Sequence, residues 1–240
     1  MKSITGNDKC LIYSNCKVKD TAQCDINCSK YVQLKFQYSV SNIPKKYIKE
    51  HTLSLSAKNI MDENSYRKLN EYKKNIYKNV AISKGAFIWG HNKGNGKTSW
   101  AIKIMKEYFR QLHNFMGAYE KPYGLYVNVP TFFKQMRDSF NSENTKEIRT
   151  LEKNLIETEL LVFDDIGTEA PTTWVKESLY IIINQREMEQ KTTIFTSNLS
   201  LEDLESEDLL GTRIVDRIYS LCLDNIIELK GPSWRRGGNL

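Results

Sequence analysis

Residues 86 to 99 read Ala-Phe-Ile-Trp-Gly-His-Asn-Lys-Gly-Asn-Gly-Lys-Thr-Ser, a short apolar run followed by a glycine-rich loop that closes on Gly-Lys-Thr. Behind it, Trp100, Ala101, Ile104, Met105, Tyr108, Phe109 and Leu112 recur at helical spacing, which predicts a helix over Thr98 to Leu112 with one apolar face. A buried strand that runs through such a loop into a helix constrains the rest of the chain to a layered α/β architecture. It also dictates a chemistry. Gly94 and Gly96 allow φ > 0 and keep side chains out of the way, so backbone N–H groups can wrap an anion at the start of the helix. Lys97 brings a cation to the β- and γ-phosphates of a nucleotide, and Thr98 offers a hydroxyl to Mg²⁺. The loop departs from the usual pattern at one place. Its first glycine is expected six residues before the lysine, where this chain has His91, and Gly90 stands one position earlier. The alternative is a glycine-rich turn that happens to precede Gly-Lys-Thr.

The remaining apolar runs fit the same architecture. Phe87–Trp89, Leu125–Val129, Leu160–Phe163, Thr193–Thr196 and Ile226–Leu229 alternate with helical segments, so the sequence predicts five strands in a parallel sheet covered on both faces. Chemistry in such a sheet belongs at the C-terminal strand edge. Leu160–Phe163 runs into Asp164-Asp165, which offers one carboxylate for Mg²⁺ and a second to orient or deprotonate water. A plain Asp-Asp-Ile-Gly turn is the other reading. Thr193–Ser197 ends at Asn198, placed to hydrogen-bond a γ-phosphate or the water, or else to make a simple strand-end turn. Over Thr212 to Leu221, Ile214, Val215, Ile218 and Leu221 form an apolar side, and Arg213 and Arg217 stand four apart, either reaching a neighbouring subunit's phosphates or solvated beside Asp216. Ser233-Trp234-Arg235-Arg236 adds a guanidinium that can reach the nucleotide from its own chain. Lys134 and Arg137 stand beside Phe132 and Phe133, where cations and aromatics could meet a DNA backbone, and core packing is favoured for the two phenylalanines.

The N-terminal third has a different character. Of the net charge of +6, residues 1–43 contribute +3, residues 44–78 contribute +5 and residues 79–240 contribute −2. That basicity suits nucleic acid or an acidic partner, and equally a solvated lysine-rich surface. Cys10, Cys16, Cys24 and Cys28 fall within nineteen residues, spaced C-x5-C-x7-C-x3-C. Four thiolates can close a tetrahedral zinc site, although the spacing lacks the paired CxxC of zinc ribbons, and free thiols or partial ligation with His51 are the alternatives. Tyr31–Phe36 alternates as a short strand. After Asn42-Ile43-Pro44 a helical connector is expected, with Tyr66, Leu69, Tyr72, Ile76 and Val80 on one face. The expected organisation is thus a cysteine-rich module over 1–43, a connector over 44–79 and the sheet domain over 80–240. Isolated Cys222 reads as a small buried hydrophobe. No apolar run is long enough for a bilayer span, and a soluble, cytoplasmic protein is expected.

Taken together, Trp89-Gly90…Lys93 to Trp100, Leu161 to Gly167, Ile194 to Ser200 and Arg213 to Ile218 resemble the AAA+ ATPases of the DnaC/DnaI helicase-loader type over roughly residues 80 to 236. The resemblance implies an AAA+ P-loop core with little or no lid domain, preceded by the small cysteine-rich domain. It implies ATP and Mg²⁺ as cofactors, with a phosphate loop of Gly90, Gly94, Asn95, Gly96, Lys97, Thr98 and Ser99, Walker B carboxylates at Asp164 and Asp165, and sensor I at Asn198. Arg217 takes the arginine-finger role with Arg213 beside it, and Arg235 a sensor II-like role. Some relatives carry a zinc-bearing N-terminal domain, which fits the four cysteines. The implied function is a slow, partner-stimulated ATPase that grips the hexameric replicative helicase through its N-terminal region, self-associates with ATP and delivers the helicase to single-stranded DNA. The rivals are an IstB-like transposition helper acting on duplex DNA, and a nucleotide-binding module that does not hydrolyse. The Lys- and Asn-rich composition is similar to that of low-GC bacteria and their phages.

Overall fold

A computed structural model of the chain describes residues 21, 24, 28–49, 62–112, 121–140, 145–168 and 171–233. Cys10, Cys16, His51 and Arg235 lie outside these residues. Five strands form one sheet: β1 (Ala86–Trp89), β2 (Gly124–Asn128), β3 (Leu160–Ile166), β4 (Thr192–Ser197) and β5 (Ile226–Glu228). Their order is β2-β3-β4-β1-β5 and every pairing is parallel, as expected from the five apolar runs. All strands therefore end at one edge.

Parallel crossovers are right-handed, so the direction in which a connection steps along the sheet decides which face its helix covers. The steps β2 to β3, β3 to β4 and β4 to β5 all run the same way. Their helices α6 (Val129–Phe140), α7 (Thr145–Glu157), α8 (Thr173–Met188), α9 (Leu201–Leu204) and α10 (Thr212–Cys222) contribute to one apolar cluster with Phe87, Leu125, Phe163 and Phe195. The step from β1 to β2 runs the other way, and its helix α5 (Lys97–Leu112) packs on the opposite face against Ile88, Tyr126, Val162 and Ile194. The whole predicted face of α5, from Trp100 to Leu112, is buried.

One crossover helix does not cover a five-stranded face, and the N-terminal segments fill the remainder. Helix α1 (Ser29–Val40) brings Leu34 and Tyr38, and α3 (Glu63–Lys74) and α4 (Ile76–Ala81) bring Leu69, Tyr72 and Ile76 into the cluster around α5. The short α2 (Lys45–Lys49) lies between them in sequence. Tyr66 packs edge-on against Trp100 at 5.8 Å, and Ser65 Oγ donates to the Glu228 carbonyl across 163 residues of sequence. The apolar spacing expected for the connector is met, since Tyr66 and Val80 also pack against the cluster.

One expectation fails here. Tyr31–Phe36 is helical, because the side chains that reach the core are Leu34, Gln37 and Tyr38, a three-then-one spacing that only a helix presents to α5. Gln37 Nε2 donates to the Lys121 carbonyl and its Oε1 accepts from the Tyr123 N–H at 2.9 Å, so tertiary packing overrides the period-two pattern. Cys222 is fully buried as expected, and burial pushes its thiol far up. Phe132 and Phe133 are core residues. Among the described residues no helix is long and apolar enough to cross a membrane.

A further internal anchor is Arg186, fully buried beneath the sheet. Its guanidinium donates to Thr193 Oγ1 and to the carbonyls of Leu155, Ile156, Thr158 and Thr192. Burial lowers its pKa to about 9, which leaves it charged at neutral pH.

The N-terminal helices and the sheet share one buried face, so they are expected to unfold together. Leu69→Ala should cost about 2–5 kcal/mol, read by urea denaturation with Trp100 emission and helical circular dichroism moving in one transition. Two separated transitions, the first losing helix together with the Tyr66 contact on Trp100 and the second losing the sheet, would show that α3 and α4 come away independently.

Candidate functional site

The site forms where α5 begins and where β2, β3 and β4 end. Gly94 and Gly96 adopt φ of 83° and 101°, the left-handed region for which the loop spends its glycines. Lys97 is buried in the first turn of α5, and its Nζ donates to the carbonyls of Gly90 and Asn92 at 2.7 and 3.2 Å and to Asn95 Oδ1 at 3.0 Å. These acceptors are neutral, so an anionic oxygen brought to the same ammonium makes a stronger, charge-assisted bond. Asn95 is itself buried and donates through Nδ2 to the Leu229 carbonyl at 2.8 Å, while Asn92 Nδ2 donates to the Gly231 carbonyl.

This tether explains the displaced glycine. A Cβ at position 90 would lie 2.4 Å from the Leu229 carbonyl oxygen and 2.7 Å from Asn95 Nδ2. The backbone that follows β5 passes too close for any other residue. His91, where the usual pattern has glycine, is exposed and meets the Trp89 ring edge-on at 5.3 Å.

Asp164 and Asp165 occupy a one-residue irregularity in β3, since Phe163 pairs with Phe195 but Ile166 pairs with Ser197. Asp165 takes the extra position with φ of 63°. The Asp164 carboxylate is only 2% exposed. Tyr126 of β2 donates its phenolic O–H to Oδ2 at 2.7 Å, and Thr196 of β4 donates its hydroxyl to Oδ1 at 2.7 Å. The Thr196 hydroxyl oxygen also accepts the Asp165 N–H at 2.9 Å. Burial, and next the charge of Asp164, hold the Tyr126 phenol far above its ordinary pKa, so it remains a donor. Asn128 Oδ1 accepts from the Thr131 N–H and hydroxyl, which turns Nδ2 toward Asp165 Oδ2 at 3.4 Å.

Thr98, Asp164, Asp165, Tyr126 and Asn128 line one cleft of about 600 Å³, together with Lys46 and Tyr47 from the N-terminal region. A carboxylate and a hydroxyl facing one space are the oxygen donors that a small hard cation accepts alongside phosphate oxygens. Ser99 follows Thr98 in the first turn of α5. Asn198 follows β4 directly, beside the loop, where the Gly90 N–H donates to the Ser197 carbonyl.

Arg213 and Arg217 do not enter this network. Both lie on α10 and engage α8: Arg213 stacks on the Tyr180 ring at 4.3 Å, and Arg217 pairs with Glu187 at 3.1 Å. Hydrogen bonds from both arginines lower the Tyr180 phenol's pKa. Of the four clustered cysteines, Cys24 is buried in the apolar cluster with Leu34, and Cys28 immediately precedes α1. Among the described residues no group of three or more His, Cys, Asp or Glu side chains is placed to hold a metal ion.

Tyr126, Asn128 and Thr196 were not legible as site residues. The signal that exposes them is register: once β2 is known to pair with β3, Asn128 stands opposite Asp164 and Tyr126 shares its face.

The family model of IstB-like ATP binding proteins matches residues 87–239. The replicative helicase loader DnaI of Bacillus subtilis (strain 168) is 28% identical over 170 residues, 66% of this chain and 50% of the relative. The replicative helicase loader DnaC of Escherichia coli (strain K12) is 26% identical over 155 residues, 65% of this chain and 57% of the relative. The chain thus spans about half the length of the curated relatives it matches. Among solved structures, the crystal structure of the DnaC helicase loader superposes with a TM-score of 0.59 at 22% identity, covering 78% of this chain and all of that one, which shows a common fold. With more than half of its residues matched by that model, the chain belongs to the family of IstB-like ATP binding proteins.

Proposed function

We propose that this protein is an Mg²⁺-dependent ATPase that loads a replicative helicase onto single-stranded DNA. The observation that carries the nucleotide part is the placement of Thr98, which follows Lys97 at the start of α5, on the same cleft as Asp164 and Asp165. The loader part is supported by relatives named as replicative helicase loaders.

In this reading the loop N–H groups and Lys97 hold the triphosphate. Thr98 and Asp164 are the residues that hold Mg²⁺, which when bound offsets negative charge on the phosphate oxygens. Asp165 orients the attacking water, its carboxylate steadied by Asn128 Nδ2. Asn198 contacts the γ-phosphate end. Arg217, with Arg213 beside it, leaves its contacts on α8 to serve a neighbouring subunit in an ATP-dependent assembly, and Arg235 contacts the nucleotide of its own chain. Hydrolysis is slow without partners and ends the DNA-competent assembly. The basic N-terminal region grips the helicase.

The match to the IstB-like family model favours a second reading, a helper ATPase that acts on duplex DNA beside a transposase. A pull-down on a hexameric replicative helicase discriminates between the two: retention supports the loader, whereas no retention together with tight duplex binding supports the helper.

Lys97→Ala should abolish binding of a fluorescent ATP analogue, at least 100-fold by order of magnitude from loss of a charge-assisted contact, while the helicase pull-down is unchanged. Loss of both would argue against separable nucleotide and helicase functions. Arg217→Ala should spare nucleotide affinity and lower assembly-stimulated phosphate release by on the order of 10³, and an unaltered stimulated rate would reject the finger role. Asp165→Asn should suppress phosphate release with the analogue still bound. A wild-type rate that is already zero would instead favour a passive nucleotide-binding module.

A further inference from the structure

We propose that Tyr126 is a positioning residue that sets the Asp164 carboxylate for the divalent cation of the nucleotide site, an inference that rests on the ATP-binding reading above. The geometry is specific. Asp164 lies in a central strand and receives one hydroxyl from each neighbouring strand, Tyr126 on Oδ2 and Thr196 on Oδ1, both at 2.7 Å. Two donors on two oxygens fix the rotation of the carboxylate, and each oxygen keeps a further lone pair for a cation in the cleft shared with Thr98.

The phenol is itself held from both sides. Its ring is buried in the cluster around α5. Its backbone N–H donates to the Ser41 carbonyl at 2.9 Å, on the open edge of the sheet. The segment that supplies Ser41 continues to Tyr47 and Ile48, whose carbonyls accept from Lys106 Nζ on α5. The main chain that carries Tyr126 is therefore tied to residues 41–48, and burial of its ring holds the side chain. Thr196 is a less selective probe, because its hydroxyl also takes the Asp165 N–H.

The test measures affinity for a fluorescent ATP analogue in EDTA and across a Mg²⁺ titration, using the full chain as wild type, Tyr126→Phe, Asp164→Asn and the double variant. Tyr126→Phe should leave affinity in EDTA unchanged and raise the Mg²⁺ concentration needed for half-maximal enhancement about 10-fold. In the Asp164→Asn background the same change should have no further effect. A Tyr126→Phe titration that superimposes on wild type overturns the proposal, as does an equal shift with and without Asp164. A purely structural role would weaken binding in EDTA as well. Should Tyr126→Phe fail to fold by circular dichroism, Tyr126→Met also lacks the hydroxyl and carries the same expectation. Failure of the ATP-binding reading has a separate signature, namely no analogue binding by the wild type in either condition.

Discussion

The handedness of one crossover governs how this molecule is assembled. Four connections join five parallel strands, and only the step from β1 to β2 runs against the others, so right-handedness isolates α5 on its own face. The strands are apolar on both sides, and a single helix leaves Ile88, Val162 and Ile194 undercovered. The requirement is met by residues far upstream: Leu34, Tyr38, Leu69, Tyr72 and Ile76 complete the layer. The N-terminal helices are thus structural necessities of the sheet before they are anything else. At roughly 1.5–3 kcal/mol for each large apolar side chain removed from water, their burial is a major stabilising term.

The same topology concentrates the chemistry. Because β3 lies between β2 and β4, a carboxylate at its C-terminal end can collect hydroxyl donors from both sides, and Asp164 does so through Tyr126 and Thr196. Burying an ionised carboxylate is costly unless it is hydrogen-bonded, and these two donors supply that compensation. The extra residue in β3 then lets two adjacent aspartates line one cleft in different surroundings. Asp164 stays inside the network, and Asp165 adopts a left-handed conformation that turns it toward the open cleft. A regular strand would have placed consecutive side chains on opposite faces of the sheet.

What the sequence reveals follows from where each signal is stored. The five strands, the buried face of α5 and the apolar side of α10 are written in local periodicity, and they are found where the pattern places them. Phe132 and Phe133, set among charged neighbours, still resolve as core because they fall on the inward face of α6. Tyr31–Phe36 misleads, since a six-residue alternation is too short to tell two periods apart and the deciding contacts come from α5. Tyr126 and Thr196 are invisible for another reason. Their partner is 38 or 32 residues away in sequence, and the only local hint is a polar atom at the inward position of an apolar strand. Arg186 is the extreme case, an ordinary charged residue in a helix until the carbonyls of four other residues close around it.

The unusual spacing of the glycine-rich loop has a physical cause of the same nonlocal kind. The chain leaving β5 lies across the loop: the Leu229 N–H donates to the Trp89 carbonyl, and the Leu229 carbonyl accepts from Asn95. That approach requires glycine at position 90, one place earlier than the usual pattern, and releases position 91 to carry an exposed histidine. The asparagine that anchors the tail also accepts from Lys97, so lysine, loop and the segment beyond β5 form one continuous hydrogen-bonded unit. One amide therefore does two jobs: its oxygen faces Lys97 and its nitrogen holds the Leu229 carbonyl. The spacing of the loop and the path of the chain beyond β5 are thus set together, through one buried amide that serves both.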